Sequence, residues 1–338
     1  MSLAVTLLTL IASSATLLDP AIAVQASSPS APGATFVVNN TYDEASACPD
    51  FCSLRTAILE ANSNPGPDTI TLEIPTNDPG YSGGDWTLHL GAPLPVLSGS
   101  DSLAIDARTL SGGACSSHFI IDASAVQYGL ELSGANKQIS GLLIRNAQTH
   151  GVYIYGTAAQ NNQLTCNTIV SNTVDGVRIG SGAISNTIGS SSGDFNVISA
   201  NGSDGVHITF AGTSGNTVAG NLIGTDSTGT SAWGNGAYGV RISNGAVTNT
   251  IGLAGASGGN LISANAFGGG VLISGATTQN NTVQNNTIGT DAVGAAALAN
   301  QDGVVISNAP NNTIGPDNLI SGNTRDGIRI EEGAASGN

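Results

Sequence analysis

Apolar residues in this chain come in short alternating bursts, not in long stripes. The commonest burst is a glycine followed by Val-x-Ile. It reads Gly151-Val152-Tyr153-Ile154, Gly176-Val177-Arg178-Ile179, Gly205-Val206-His207-Ile208 and Gly239-Val240-Arg241-Ile242. It continues as Gly270-Val271-Leu272-Ile273, Gly303-Val304-Val305-Ile306 and Gly327-Ile328-Arg329-Ile330. β-Branched residues at a period of two predict short strands with one buried face. Gly, Asn, Asp and Ser punctuate the gaps, which excludes long helices. Asn-Thr-Ile-Gly and Asn-x-Ile-Ser or Asn-x-Ile-Gly-Thr-Asp bursts lie between successive copies, so three strands recur per turn. Such self-similarity predicts stacked coils, each strand pairing with its copies above and below at roughly 4.8 Å. The expected fold class is all-β: a right-handed parallel β-helix, a three-sheet solenoid with a short N-terminal capping helix.

Asparagine heads the inner bursts, at Asn186, Asn249 and Asn312 and again at Asn196, Asn260 and Asn318. Asn tolerates the left-handed backbone of a tight corner, and stacked amides can hydrogen-bond along the axis as a ladder. Glycosylation is the competing use of these residues, and Asn281 and Asn286 do not fit a sequon alike. A longer rhythm is superposed: Gly176, Gly239 and Gly303 are 63 and 64 residues apart, so two coils form the unit. One coil of each pair carries an insertion, Ile223 to Tyr238 and Ile288 to Asp302. Both are expected to project from one side, where a protein partner would dock.

The ends differ from the repeats. Leu3 to Leu18 is uncharged and apolar and is followed by Ala21-Ile22-Ala23. This predicts a signal peptide over 1–23, with a membrane anchor as the alternative, and a linker over 24–34. An N-terminal cap with irregular coils is expected over 35–125 and regular coils over 126–338. The sequence stops at Gly337-Asn338, where another inner burst would open, so further coils are expected beyond it.

Cys52-Ser53-Leu54-Arg55-Thr56-Ala57-Ile58-Leu59-Glu60-Ala61-Asn62 is the clear helix. Leu54, Ala57, Ile58 and Ala61 form one apolar stripe, Ser53 is a natural N-cap, and Asn64-Pro65-Gly66 stops it. Its stripe can close the open end of the bore. The segment resembles the Cys-Ser-Leu-Arg-Glu-Ala motif that opens many bacterial exported right-handed parallel β-helix proteins, with Thr56 in place of Glu. The coils with Ile-Gly-Thr-Asp look like the repeats of that group. The resemblance implies a pectin-lyase-like superhelix on a secreted or cell-surface protein, and no activity. Cys48 and Cys52 are expected to form a disulfide, zinc being the rival use, and Cys115 could meet Cys166 across stacked coils.

Composition narrows the partners. Charged residues are 9% and the formal net charge is −15, which argues against nucleic acid and against anionic membrane surfaces. No membrane insertion of the mature domain is expected. The outward residues of the Val-x-Ile strands read Glu131, Tyr153, Arg178, His207, Arg241, Leu272, Val305 and Arg329. Guanidinium groups take carboxylates in bidentate fashion, and one coil step is close to one sugar of an extended chain. Tyr153, Arg178, His207 and Arg241 are therefore candidates for binding an acidic extracellular polysaccharide; plain solvation of outward positions is the alternative. Beside them run His150, Asp175, Asp204, Asp302 and Asp326, each before a strand glycine, as turn chemistry alone would place them. Asp175 and Asp204 one coil apart would repel by about 1 kcal/mol in water, which a Ca²⁺ ion would relieve, though no full ligand set is present.

For catalysis the compact candidates are Asp175, Arg178, Asp204 and His207, in a polysaccharide lyase or hydrolase acting on uronic-acid polymers. The Gly-His-Gly and Arg-Ile-Lys motifs of polygalacturonase-like enzymes and the Tyr-Gly-Phe-Asp-Pro-His signature of alginate epimerases are absent. The favoured reading is a binding scaffold without a cofactor. An enzyme and a protein-binding adhesin stand as alternatives.

Overall fold

A computed structural model describes residues 32–338, except 45, 256, 257, 266 and 332. The apolar run and the cleavage pattern near the N-terminus lie outside the described residues. From Thr35 onward the chain winds into the right-handed parallel β-helix that the repeats imply. Its three sheets hold ten, eight and ten strands. The pairings are parallel throughout, apart from the hairpin Tyr81–Ser82 with Asp85–His89 and a few isolated bridges. Among the described residues the α-helix is Leu54–Ser63. The Ser53 hydroxyl accepts from the Thr56 amide, and Leu54, Ala57, Ile58 and Ala61 are buried against the first coils. No helix among the described residues is long and apolar enough to cross a membrane.

The eight-stranded sheet is built from the Val-x-Ile bursts, from Tyr128–Leu132 to Ile328–Glu331. Its register is that of the alignment. Val152, Val177, Val206, Val240, Val271, Val304 and Ile328 form one column, and the isoleucines two residues on form a second. These columns fill the bore, except that Ile328 and Ile330 on the last strand are each 50% exposed.

Three asparagine ladders turn the corners. One runs through Asn162, Asn186, Asn216, Asn249, Asn281 and Asn312, with amide-to-amide distances of 2.8–3.1 Å. A second runs from Asn167 through Asn196, Asn221, Asn260 and Asn286 to Asn318. The third, Asn172, Asn201, Asn235, Asn265, Asn300 and Asn323, borders the eight-stranded sheet and was not anticipated. Its signal was present: each member precedes a Gly-Val-x-Ile burst by a few residues. Asn281 and Asn286 are buried ladder members, which leaves no room on them for a glycan.

The inserted segments leave from the same side, two coils apart, but lie down on the protein. Each closes on itself through an antiparallel bridge, Thr225 with Ala232 and Thr290 with Ala297. The Ala292 amide donates to the Gly229 carbonyl at 3.0 Å, so the two loops stack. Trp233 remains half exposed. Cys48 is bonded to Cys52, and Cys115 to Cys166.

Candidate functional site

Parallel register carries the outward residues of the eight-stranded sheet into one line. Glu131, Tyr153, Arg178, His207, Arg241, Leu272, Val305 and Arg329 are successive partners on neighbouring strands. Strand pairing sets their spacing at roughly 4.8 Å. The line is not uniform. Leu272 and Val305 are buried, and Arg329 is drawn to Asp302 at 3.0 Å and Glu331 at 2.9 Å. The stretch from Tyr153 to Arg241 is the part with donors to spare.

Beneath it lies a buried ionic cluster. Asp175 and Asp204 are each 1% exposed. One oxygen of each braces the next coil: Asp175 Oδ1 accepts from the Asp204 amide at 3.2 Å, and Asp204 Oδ1 from the Tyr238 amide at 3.0 Å. The other oxygens face the line. Asp175 Oδ2 lies 3.3 Å from Arg178 Nη1, 3.3 Å from His150 Nδ1 and 3.5 Å from His207 Nδ1. Asp204 Oδ2 lies 3.7 Å from His207 Nδ1 and 3.9 Å from Arg241 Nη1, and it has no hydrogen-bond partner. His207 Nε2 is 2.9 Å from the Ser243 hydroxyl.

The structure therefore brings Asp175, Arg178, Asp204 and His207 together, as the coil spacing requires. It also separates their roles. The two carboxylates and His207 sit below the surface and hold the arginines; Arg178, Arg241 and Tyr153 face outward. The Arg178 and Arg241 guanidinium groups temper the repulsion expected between Asp175 and Asp204 without removing it, since the charge of Asp175 still raises the Asp204 pKa. Asp175, Asp204 and His207 could each turn one ligand atom toward a common ion. Two carboxylates and an imidazole fall short of the six to eight oxygens calcium takes, and Arg178 contests the same Asp175 oxygen. The set does not fit calcium.

Burial would raise the pKa of Asp175, but His207 and His150 hold it below the usual carboxylate range. Burial, and then the charge of Asp175, push that of Asp204 up. Burial lowers the pKa of His150 to about 4 against the pull of Asp175, with Arg178 and His207 adding to the lowering. A neutral buried imidazole has a measurable consequence. From pH 6.5 down to about 4 the unfolded chain binds a proton at His150 that the folded one refuses. The His150 contribution is therefore present above pH 6.5 and is lost on acidification, by about 3 kcal/mol. Asp204, its pKa raised above the ordinary carboxylate value, contributes with the opposite sign as the pH falls toward that value. In urea unfolding followed from pH 7 to pH 4, His150→Gln is expected to show a shallower acid decline than wild type. Parallel curves would show that His150 is not held neutral.

Aromatic rings surround this cluster. Tyr128 stacks on His150 with centroids 5.8 Å apart, and Tyr153 on Tyr155 at 4.6 Å. Phe210 lies over the Arg178 guanidinium, 5.5 Å from ring centroid to carbon. Tyr155, Phe210 and Tyr128 are neighbours that the Val-x-Ile phrase alone does not reveal.

No family model and no curated protein matches the sequence. Among solved structures, one described as pectate lyase Pel9A aligns over 86% of this chain and 80% of its own, with 15% identity and a TM-score of 0.43. The Azotobacter vinelandii mannuronan C-5 epimerase AlgE4 A-module aligns over 91% of this chain and 78% of its own, with 16% identity and a TM-score of 0.46.

Proposed function

We propose that the protein is an exported β-helix scaffold that holds an acidic extracellular polysaccharide along the outward line from Tyr153 to Arg241. One observation carries this reading: Arg178 and Arg241 are kept upright on one face by carboxylates buried beneath them. Arg178 engages Asp175 through Nη1 only, and Arg241 approaches Asp204 no closer than 3.9 Å. Each guanidinium keeps N–H groups for a carboxylate ligand, and charge-assisted bidentate pairs are the strong ones. In a chain of net charge −15 such a face recruits anions only where its arginines are clustered.

The opposed shifts of Asp175 and Asp204 favour a second reading, catalysis, because an acid and a base need carboxyl groups pushed apart in pKa. Their burial and their bonds to backbone amides favour support over chemistry. The discriminating experiment incubates purified protein with polygalacturonate and with alginate. Retention in affinity electrophoresis with no ultraviolet-absorbing unsaturated product and no new reducing ends is expected. Turnover that Arg178→Ala abolishes would replace the scaffold with an enzyme.

A further inference from the structure

Phe210 breaks the rule of its own repeat. It occupies the corner that follows each strand of the eight-stranded sheet. In register with it stand Gly156, Ser181, Asn244, Gly275 and Asn308. All six have positive φ, 75° at Phe210 and 51–56° at Ser181, Asn244 and Asn308. Glycine, serine and asparagine suit that backbone; a bulky aromatic in it is an outlier. Such strain persists where the surroundings enforce it, and it clusters at active sites, ligand clamps and switch regions. The ring is nonetheless 41% exposed, so its own burial does not account for it.

A second departure lies one strand away and fits the first. At the last outward position of these strands stand Tyr155, Thr209, Ser243, Ser274 and Ser307, and Gly180 alone among them lacks a side chain. A Cβ on Gly180 would lie 3.2 Å from Phe210 Cδ2. The missing side chain is the slot into which the ring folds. From there Phe210 covers Arg178, whose Nε and Nη2 donate to no protein acceptor among the described residues. Tyr155 pairs with Gly180 from the opposite side.

We propose that Phe210 is the stacking platform of a uronate subsite, its ring taking the C–H face of a pyranose whose carboxylate is held by Arg178. This rests on the reading of the outward line as a polysaccharide face and adds the ring form and charge of the sugar selected. An aromatic face accepts the apolar side of a pyranose, and a flat guanidinium beside it accepts the carboxylate of that same sugar. Gly180 belongs to the subsite by leaving the platform its place.

The test is titration calorimetry of the full chain with tetragalacturonate as probe, alongside thermal unfolding. Phe210→Asn gives the corner the residue that two other coils use. It is expected to bind about tenfold more weakly while unfolding at or above the wild-type midpoint. Phe210→Tyr is expected to stay within about twofold of wild type. Gly180→Ser, which fills the slot, is expected to lose about as much as Phe210→Asn, and the double variant little more than either. Wild-type affinity in a folded Phe210→Asn variant would overturn the platform and leave the polysaccharide face standing. No binding by wild type would remove both.

Discussion

Asn216→Ala is expected to destabilise the protein by about 4 kcal/mol, although it removes only a small neutral side chain. Asn216 Oδ1 accepts from both the backbone amide and the Nδ2 of Asn186, each at 2.9 Å. Its own Nδ2 donates to Asn249 Oδ1 and to the Ala183 carbonyl, each at 3.0 Å. Alanine orphans two donors on Asn186, and Asn216 is 0% exposed, so water does not replace the lost oxygen freely. In a solenoid each coil touches only its neighbours, so the damage is local before it is global. Hydrogen exchange should show the Asn186 amide opening first, and urea unfolding should report the total. A loss below about 1 kcal/mol would mean that the ladders follow the corners passively and do not hold them.

Replacing both Arg178 and Arg241 by alanine is expected to weaken binding of a polyuronate by about 100-fold or more. Each guanidinium offers a charge-assisted contact of about 1.5–3 kcal/mol, and the two losses act on one ligand chain. Binding by wild type should fall as salt rises, and that dependence should flatten in the double variant. Arg145, on another sheet and paired with Asp122 at 3.2 Å, supplies the control: its alanine variant should bind within about twofold of wild type. An equal loss at Arg145 would mean that the polymer reads net charge and not this face.

How much of this was legible beforehand follows from what a repeat encodes. Coil phase is written in the Val-x-Ile bursts, because a slip of one residue would turn every Val and Ile outward. Register therefore followed from aligning the glycines, and with it the line from Glu131 to Arg329. The convergence of Asp175, Arg178, Asp204 and His207 followed from the same alignment. Side-chain direction did not. That His207 turns its Nδ1 down toward two carboxylates depends on their backbone hydrogen bonds to the next coil, which no spacing reveals. The inserted loops were expected to project, yet their glycines and alanines let them stack on one another. Phe210 does not stand out in the sequence, because single departures from a repeat look like drift. Gly180 one strand away marks it as a paired change.

The claim on which all of this turns is that one face of the eight-stranded sheet holds a carboxylated sugar chain. A crystal structure of the protein with a hexauronate oligomer tests it most directly. The oligomer should lie along the solenoid axis, from Tyr153 to Arg241, with carboxylates on Arg178 and Arg241. An oligomer on the inserted loops around Trp233, or on another sheet with these arginines bare, would contradict it.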